Sequence, residues 1–153
     1  MDDCLFCRIA QKNLRSHLFW EDQDFIAILD IYPNCRGQAL LLPKTHVSSD
    51  PAECDPVLLQ KMMGAAQQVM ERLKKTLGVY RVACVLEGMG VNHLHLKLYP
   101  LHGLDPTWRP HIPTERVWLD RYPGYITTHL GPAADPEELG KLANQLSQKA
   151  QEA

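Results

Sequence analysis

Residues 93–99 alternate strictly between polar and apolar side chains, and this alternation limits the possible folds more than any other feature of the sequence. The side chains of a β-strand point in turn to the two faces of a sheet. The segment therefore predicts a strand with one apolar face and one face of mostly ionisable groups. The polar side chains are those of His93, His95, Lys97 and Tyr99, and the apolar ones are those of Leu94, Leu96 and Leu98.

One long helix is predicted over residues 55–77, because apolar side chains recur there at spacings of three and four. Asp55 is a favourable N-cap, Pro56 suits the first helical position, and Gly78 favours termination. A stripe of this width needs a partner surface, so the helix is expected to pack on a sheet. The stripe consists of Leu58, Leu59, Met62, Ala65, Ala66, Val69, Met70 and Leu73.

Four further segments predict the remaining strands. Residues 17–21 and 25–29 are expected to form a hairpin around the polar residues 22–24, and residues 38–42 and 79–86 are expected to add two more strands. Together these elements predict an α+β fold, in which an antiparallel sheet of about five strands packs one face on the long helix. The other face of the sheet is then expected to present the histidine row.

The C-terminal third predicts a loop followed by a helix. Residues 101–134 carry many prolines, histidines and aromatic residues, which is typical of an ordered loop region. Asp135 and Pro136 predict the start of a last helix, whose apolar positions are Leu139, Leu142, Ala143 and Leu146. Earlier in the chain, Cys84 lies in an apolar stretch and is expected to be buried.

Composition narrows the class of protein. The chain has 153 residues, 45% of them hydrophobic and 22% charged, with a formal net charge of −2. This balance predicts one folded domain over residues 1–153 rather than a disordered chain, and it excludes a basic field over the whole domain for nucleic acid. We find no secretory signal and no apolar run long enough to span a bilayer, so we expect a cytoplasmic protein with no membrane partner.

A pair of cysteines spaced as C-x2-C lies near the N-terminus. The chain has five cysteines, and an odd count argues against a complete disulfide framework. In a reducing compartment, Cys4 and Cys7 are better interpreted as metal-binding or redox-active. No βαβ context supports a thioredoxin-like redox site, whereas His46 and His93 are candidates to complete a tetrahedral zinc site.

Three separate segments resemble one protein family. Residues 4–9, CLFCRI, are similar to the N-terminal signature of zinc-containing histidine triad (HIT) proteins. Residues 29–46, with LDIYP near the start and LPKTH at the end, resemble the central segment of that family. Residues 91–98, VNHLHLKL, resemble the histidine triad itself. The three matches occur in the family order and cover about residues 4–100, while residues 101–153 are divergent.

The resemblance implies both a fold and a chemistry. HIT proteins have an antiparallel sheet with a long helix, are usually dimeric, and hydrolyse or transfer nucleotides at the α-phosphate. Carried over by position, His95 is the nucleophile that forms a nucleotidyl-histidine, and Asp30 binds the ribose hydroxyls. The resemblance to the zinc-containing, bacterial-type members also implies a structural zinc ion. Its ligands are Cys4, Cys7, His46 and His93.

The sequence departs from the family pattern at two places. Lys97 replaces the third histidine of the triad, and we expect it to be a catalytic and nucleotide-binding residue that anchors a phosphate oxygen. A solvated lysine on a sheet face is the alternative. Upstream, the usual Gln and hydroxyl residue are missing, so phosphate contacts are expected from the backbone of Gly88 and Gly90 and from Asn92.

Two classes of function follow from these features. The first is an enzyme that acts on dinucleoside polyphosphates, nucleoside phosphoramidates or nucleotide-sugars. The second, motivated by Lys97, is a module that binds a nucleotide with little or no turnover. A zinc-stabilised dimer that serves protein partners is a third, weaker interpretation. The expected partners of the chain are therefore a nucleotide substrate and a second copy of itself.

Overall fold

The computed structural model of the protein describes residues 4–139 and 141. Its elements begin with helix α1 and continue through five strands and one long helix. In chain order they are α1 (Leu5–Ala10), β1 (Leu18–Glu21), β2 (Phe25–Leu29), β3 (Ala39–Pro43), a short 3-10 helix (Pro51–Glu53), α2 (Pro56–Leu77), β4 (Val82–Val85) and β5 (Leu96–Pro100). The strands form one antiparallel sheet in the order β1-β2-β3-β5-β4. The predicted α+β fold with about five antiparallel strands is thus confirmed.

Helix α2 agrees with its prediction at both ends. The Asp55 side chain accepts a hydrogen bond from the amide of Val57, and Gly78 ends the helix in the left-handed conformation, with φ 66°. The buried face of α2 lies against one face of the sheet, in a core that includes Leu94, Leu96 and Leu98. No helix among the described residues combines the length and apolar character needed to cross a membrane.

The hairpin of β1 and β2 is held by its turn. Asp22 accepts hydrogen bonds through Oδ1 from the amides of Asp24 and Phe25, at 2.8 and 2.6 Å. An aspartate side chain that bonds the backbone two residues on is the usual device of such turns. The hairpin predicted around residues 22–24 is therefore confirmed.

The strand of the histidine row begins later than predicted. The ladder of β5 starts at Leu96, and residues 93–95 precede it. The backbone of this segment is hydrogen-bonded elsewhere, because the amide of His93 donates to Val91 and the amide of Leu94 donates to Val47 in the loop after β3. The alternation of side chains nevertheless continues, with the leucines towards α2. The segment is therefore held by a loop partner rather than by a neighbouring strand.

The face of the sheet opposite α2 carries its own small core. Ile26, Ile28, Leu40 and Leu42 form an apolar floor, and Phe6 of α1 packs on it. The two histidines do not lie on a solvated surface, since His93 and His95 are only 0% and 3% exposed. Burial of these rings beneath the N-terminal helix means that their polar atoms need partners within the protein.

Strand β4 is shorter than predicted and lies at the edge of the sheet, next to β5 only. Its Cys84 is exposed, so the prediction of a buried cysteine is wrong. An apolar neighbourhood in sequence does not ensure burial on an edge strand, because one flank of such a strand has no partner.

The chain divides into two compact units, residues 1–108 and 109–153, and each is described by itself. Residues 101–134 contain no regular helix or strand, as the sequence predicts. Residues 136–139 are helical, and Asp135 accepts a hydrogen bond from the amide of Glu137 at 2.8 Å. Of the predicted apolar positions of this helix, Leu142, Ala143 and Leu146 lie outside the described residues. The single domain over residues 1–153 stays a prediction.

Candidate active site and metal centre

Four side chains from three parts of the chain form a sulfur and nitrogen cluster. One ligand atom from each of Cys4, Cys7, His46 and His93 can be chosen so that all four lie within 4.8 Å of one another. Cys4 and Cys7 come from the start of α1, His46 from the loop after β3, and His93 from the segment before β5. The structure thus brings together all four residues that the sequence nominates as metal ligands.

The distances within this cluster are those expected for tetrahedral coordination of a metal ion. The Nδ1 atom of His93 lies 3.5 Å from the sulfur of Cys4 and 3.5 Å from that of Cys7, and Nδ1 of His46 lies 3.4 Å from the sulfur of Cys7. Zinc bonds of about 2.3 Å to sulfur and about 2.0–2.1 Å to nitrogen place the two atoms about 3.6 Å apart in a tetrahedron. The donor set therefore fits a closed site with four protein ligands.

His93 is oriented for this role by its second ring nitrogen. Nε2 donates a hydrogen bond to the carbonyl oxygen of Pro43 at 3.0 Å, so Nδ1 faces the two thiols with its lone pair. Burial lowers the pKa of His93, against the opposing effect of the Pro43 hydrogen bond. The ring is therefore neutral near pH 7, which is the form that binds a metal ion.

The thiol of Cys7 completes the electrostatics of the cluster. Burial raises the pKa of Cys7, and the neighbouring Cys4 raises it further. Two adjacent thiolates are unfavourable without a compensating charge, and a cation bound between them supplies it. A positive ion bound between the two thiolates would therefore stabilise the cluster.

His95 is held in one tautomer. Its Nδ1 donates to the carbonyl oxygen of His93 at 2.7 Å, which leaves Nε2 as the nitrogen with a lone pair. No described side-chain nitrogen or oxygen is both buried and without a hydrogen-bond partner. Within the described residues Nε2 makes no hydrogen bond, so the small exposed area of His95 includes this atom. A buried imidazole with one open nitrogen is suited to attack an electrophile.

Phe6 packs against both the sulfur and nitrogen cluster and His95. Its ring lies edge-on to both imidazoles, with centroids 5.8 Å from His93 and 5.2 Å from His95. Phe6 is buried and lies between the two cysteines in sequence. Any ion that fixes Cys4 and Cys7 therefore also fixes the side chain that packs against His95.

Lys97 forms an ion pair that the sequence analysis missed. Its Nζ lies 2.6 Å from Oε2 of Glu87, and the side chains of Lys97 and Glu87 are 26% and 9% exposed. Lys97 is therefore not a freely solvated lysine. Lysine has three N–H donors, so it can hold this carboxylate and still donate to a phosphate oxygen.

Asp30 lies at the far end of the same face, just after β2. Its Oδ1 accepts a hydrogen bond from the amide of Tyr32 at 2.8 Å, and its Oδ2 accepts one from Nε2 of Gln38 at 2.7 Å. Gln38 is 3% exposed and also accepts through Oε1 from the amide of Asn34 at 2.6 Å. Each carboxylate oxygen keeps a second lone pair, so Asp30 can accept hydrogen bonds from two hydroxyls.

The pKa of Tyr99 is shifted by burial and by the charges along this face. Burial raises the pKa of Tyr99, the carboxylates of Asp30 and Glu87 raise it further, and Lys97 opposes the rise. The ionisable groups that act on Tyr99 thus include the carboxylates of Asp30 and Glu87 and the ammonium group of Lys97. The sign of the charge at this face affects which charged ligands can bind there.

Gly88 and Asn92 lie against Ser49, whereas Gly90 faces open space. Gly88 has φ +72°, and a Cβ atom there would lie 2.6 Å from the carbonyl oxygen of Ser49, whereas a Cβ at Gly90 would meet nothing within 4 Å. Oδ1 of Asn92 accepts from the amide of Ser49 at 3.1 Å. Gly88 and Asn92 therefore hold the loop after β3, and their predicted contact with phosphate stays a prediction.

Most of these site residues lie in a segment that matches a known protein family. The HIT domain matches residues 11–103 of the chain. The chain belongs to the HIT domain family. Among curated HIT relatives, an uncharacterized HIT-like protein of Mycoplasma genitalium is 34% identical over 102 residues, which are 63% of this chain and 72% of that protein. The adenosine 5′-monophosphoramidase HNT1 of Saccharomyces cerevisiae is 26% identical over 147 residues, 95% of this chain and 82% of its own length.

Solved HIT structures share the fold. A HIT family hydrolase of Legionella pneumophila superposes with a TM-score of 0.55 at 28% identity, over 71% of this chain and 100% of that one. A protein of Streptococcus mutans gives a TM-score of 0.71 at 24% identity, over 98% of this chain and 87% of its own. The second likeness concerns the fold alone.

Three residues of the HIT site escaped the sequence analysis: Phe6, Gln38 and Glu87. Each acts on a predicted site residue from a distant position, so spacing along the chain gives no indication of it. Glu87 had one available sign, because a carboxylate lies directly before the glycines that follow β4. When a predicted strand carries a lysine, an acidic residue in or just after the neighbouring strand is a candidate ion-pair partner.

Proposed function

We propose that this HIT protein hydrolyses or transfers nucleotides through attack of His95 on the α-phosphate. The observation that carries the proposal is the 2.7 Å hydrogen bond from Nδ1 of His95 to the carbonyl of His93, which selects the tautomer with its lone pair on the accessible Nε2. An attacking imidazole needs this tautomer, because a protonated Nε2 has no lone pair to offer. Family membership supports the same chemistry.

The reaction has two displacements. In the first, the lone pair of His95 Nε2 forms a bond to the α-phosphorus, and the leaving group departs with the electrons of its bond to phosphorus and takes up a proton. In the second, water attacks phosphorus, the P–N bond breaks, its electron pair returns to Nε2, and the water loses a proton. Another acceptor in place of water gives transfer rather than hydrolysis.

The remaining site residues bind and orient the nucleotide. Asp30, fixed by Gln38, accepts hydrogen bonds from the ribose hydroxyls. Lys97 donates to a phosphoryl oxygen with an N–H group that Glu87 does not use. The Gly88–Gly90 backbone and Asn92 are the further donors proposed for the phosphate.

We also propose that Cys4, Cys7, His46 and His93 hold a structural zinc ion. Sulfur–nitrogen distances of 3.4 and 3.5 Å and the orientation of His93 by Pro43 support this assignment. Zinc with four protein ligands supplies structural cohesion rather than an open coordination position. Its effect on His95 is to fix α1, and with it Phe6.

The substrate class of the proposal is a nucleoside phosphoramidate, dinucleoside polyphosphate or nucleotide-sugar. The similarity to the yeast monophosphoramidase extends over 95% of this chain, which supports including phosphoramidates. These substrates share an α-phosphate attached to a nucleoside and differ in the leaving group.

The test is product formation on a panel of these substrates by wild type and by His95→Ala. We expect a nucleoside monophosphate product from wild type and its loss, by at least about 100-fold, in His95→Ala. The matched control is His17→Ala, because His17 is an exposed histidine on the hairpin edge of the sheet. An equal rate in wild type and His95→Ala would refute the role of His95.

The second candidate function is a nucleotide-binding module with little or no turnover. The observation that favours it is the Glu87 ion pair, because the cation at the third triad position is already neutralised. This candidate predicts nucleotide binding that depends on Asp30, with no product from any substrate of the panel. A product that requires His95 excludes it.

A further inference from the structure

Glu87 forms an ion pair with the lysine that replaces the third histidine of the triad. Val85 at the end of β4 is the register partner of Lys97 on β5. Since the two strands are antiparallel, the chain beyond Val85 runs back towards His95, and Glu87 comes two residues later. Its side chain is 9% exposed, and its Oε2 lies 2.6 Å from Nζ of Lys97. The pair therefore has a fixed place at the site rather than on the open surface.

The other charges near this pair do not favour polyanions. On the β3 side, Lys97 is opposite the apolar Leu40. Among the groups that shift the pKa of Tyr99, Lys97 lowers it, whereas the carboxylates of Asp30 and Glu87 raise it. A carboxylate that neutralises the cation of Lys97 reduces the attraction for each additional phosphate of a ligand, and repels such a ligand where it approaches closely.

We propose that Glu87 is a specificity-determining residue, which makes the site favour nucleotides whose leaving group carries little or no negative charge. The inference rests on the nucleotide binding of the proposed function and adds a charge preference to it. Lys97 alone would bind a second and third phosphate, whereas the Glu87–Lys97 pair holds the α-phosphate and discriminates against the rest. Selectivity of this kind comes from an unfavourable interaction with the wrong ligand.

The test is the dependence of affinity on ligand charge. Adenosine, AMP and α,β-methylene-ATP, which resists attack at the α-phosphate, are titrated calorimetrically without divalent cations into wild type, Glu87→Gln, Lys97→Gln and the double variant. We expect Glu87→Gln to bind α,β-methylene-ATP about tenfold more tightly, with adenosine unchanged, because one nearby charge is removed. Lys97→Gln should change the same ratio in the opposite direction. The double variant should return towards the wild-type ratio, since the pair is neutral in both proteins.

Several outcomes would overturn the inference. An unchanged ratio between adenosine and α,β-methylene-ATP in Glu87→Gln is one, and a double variant that behaves like Lys97→Gln is another. Melting curves verify that each variant is folded. If Glu87→Gln is not folded, the double variant compared with Lys97→Gln carries the test, because removal of Glu87 there should raise the affinity for α,β-methylene-ATP. Turnover through His95 with an unchanged ratio defeats only this inference. Absence of binding by wild type defeats nucleotide binding as well.

Discussion

Gln38 offers a sharp test of how the proposed ribose site is built. Gln38→Met keeps the size of the side chain and removes its hydrogen bonds to Asp30 and to the amide of Asn34, which are 2.7 and 2.6 Å long. A hydrogen bond to a charged group contributes about 1.5–3 kcal/mol and a neutral one about 0.5–1.5 kcal/mol. Both partners of Gln38 are only partly buried or exposed and regain water. We therefore expect the free energy of unfolding to fall by about 2 kcal/mol.

The same substitution is expected to weaken nucleotide binding. Without Gln38, one oxygen of Asp30 loses the donor that fixes it, so the carboxylate must be ordered again when ribose binds. We expect AMP to bind about tenfold more weakly, equivalent to about 1.4 kcal/mol. The measurements are urea unfolding followed by circular dichroism, and titration calorimetry with AMP.

Gln68→Met is the matched control, because Gln68 is exposed on α2. Glutamine and methionine have similar helix propensities, so this substitution should not perturb the helix. The control should leave both the stability and the affinity for AMP unchanged. If Gln38→Met were within about 0.5 kcal/mol of Gln68→Met, the scale expected of surface changes, the clamp on Asp30 would have no energetic role.

Two further substitutions test the metal centre and the loop around Ser49. Wild type purified without added metal should contain about one zinc per chain by elemental analysis, and Cys4→Ser should lose most of it, whereas exposed Cys84→Ser should not. Equal zinc in both variants would contradict the proposed ligand set. Gly88→Ala should destabilise the fold by about 2 kcal/mol or more, because its φ is +72° and the new Cβ would lie 2.6 Å from the carbonyl of Ser49. Gly90→Ala, which meets open space, should be nearly neutral in thermal unfolding, and comparable losses in the two variants would refute the steric explanation.

Helix α2 and the first hairpin were predictable because their determinants are local. The stripe, the Asp55 cap and Gly78 lie within one stretch of chain, and the Asp22 turn lies between adjacent strands. The start of β5 was not predictable, since it depends on a hydrogen bond from Leu94 to Val47 that no local pattern encodes. Local preference sets the type of an element, and distant partners decide where pairing begins.

The site shows the same division. The family motifs nominate the four cluster residues, and the structure assembles them. The partner of Lys97 depends on the register of β4 against β5, and the burial of the histidines depends on where Phe6 of α1 packs. Neither follows from spacing. The homodimer and the cytoplasmic location stay predictions.

His93 takes part in two sites, in one through its side chain and in the other through its backbone. The imidazole of His93 belongs to the cysteine and histidine cluster, while its carbonyl oxygen accepts the Nδ1 proton of His95. Every amino acid at position 93 has that carbonyl. The cluster and the tautomer of His95 are therefore separable in evolution: a homologous chain can lose the cysteines and histidines of the cluster and keep the oriented imidazole, provided that other packing holds the segment before β5 in the same path.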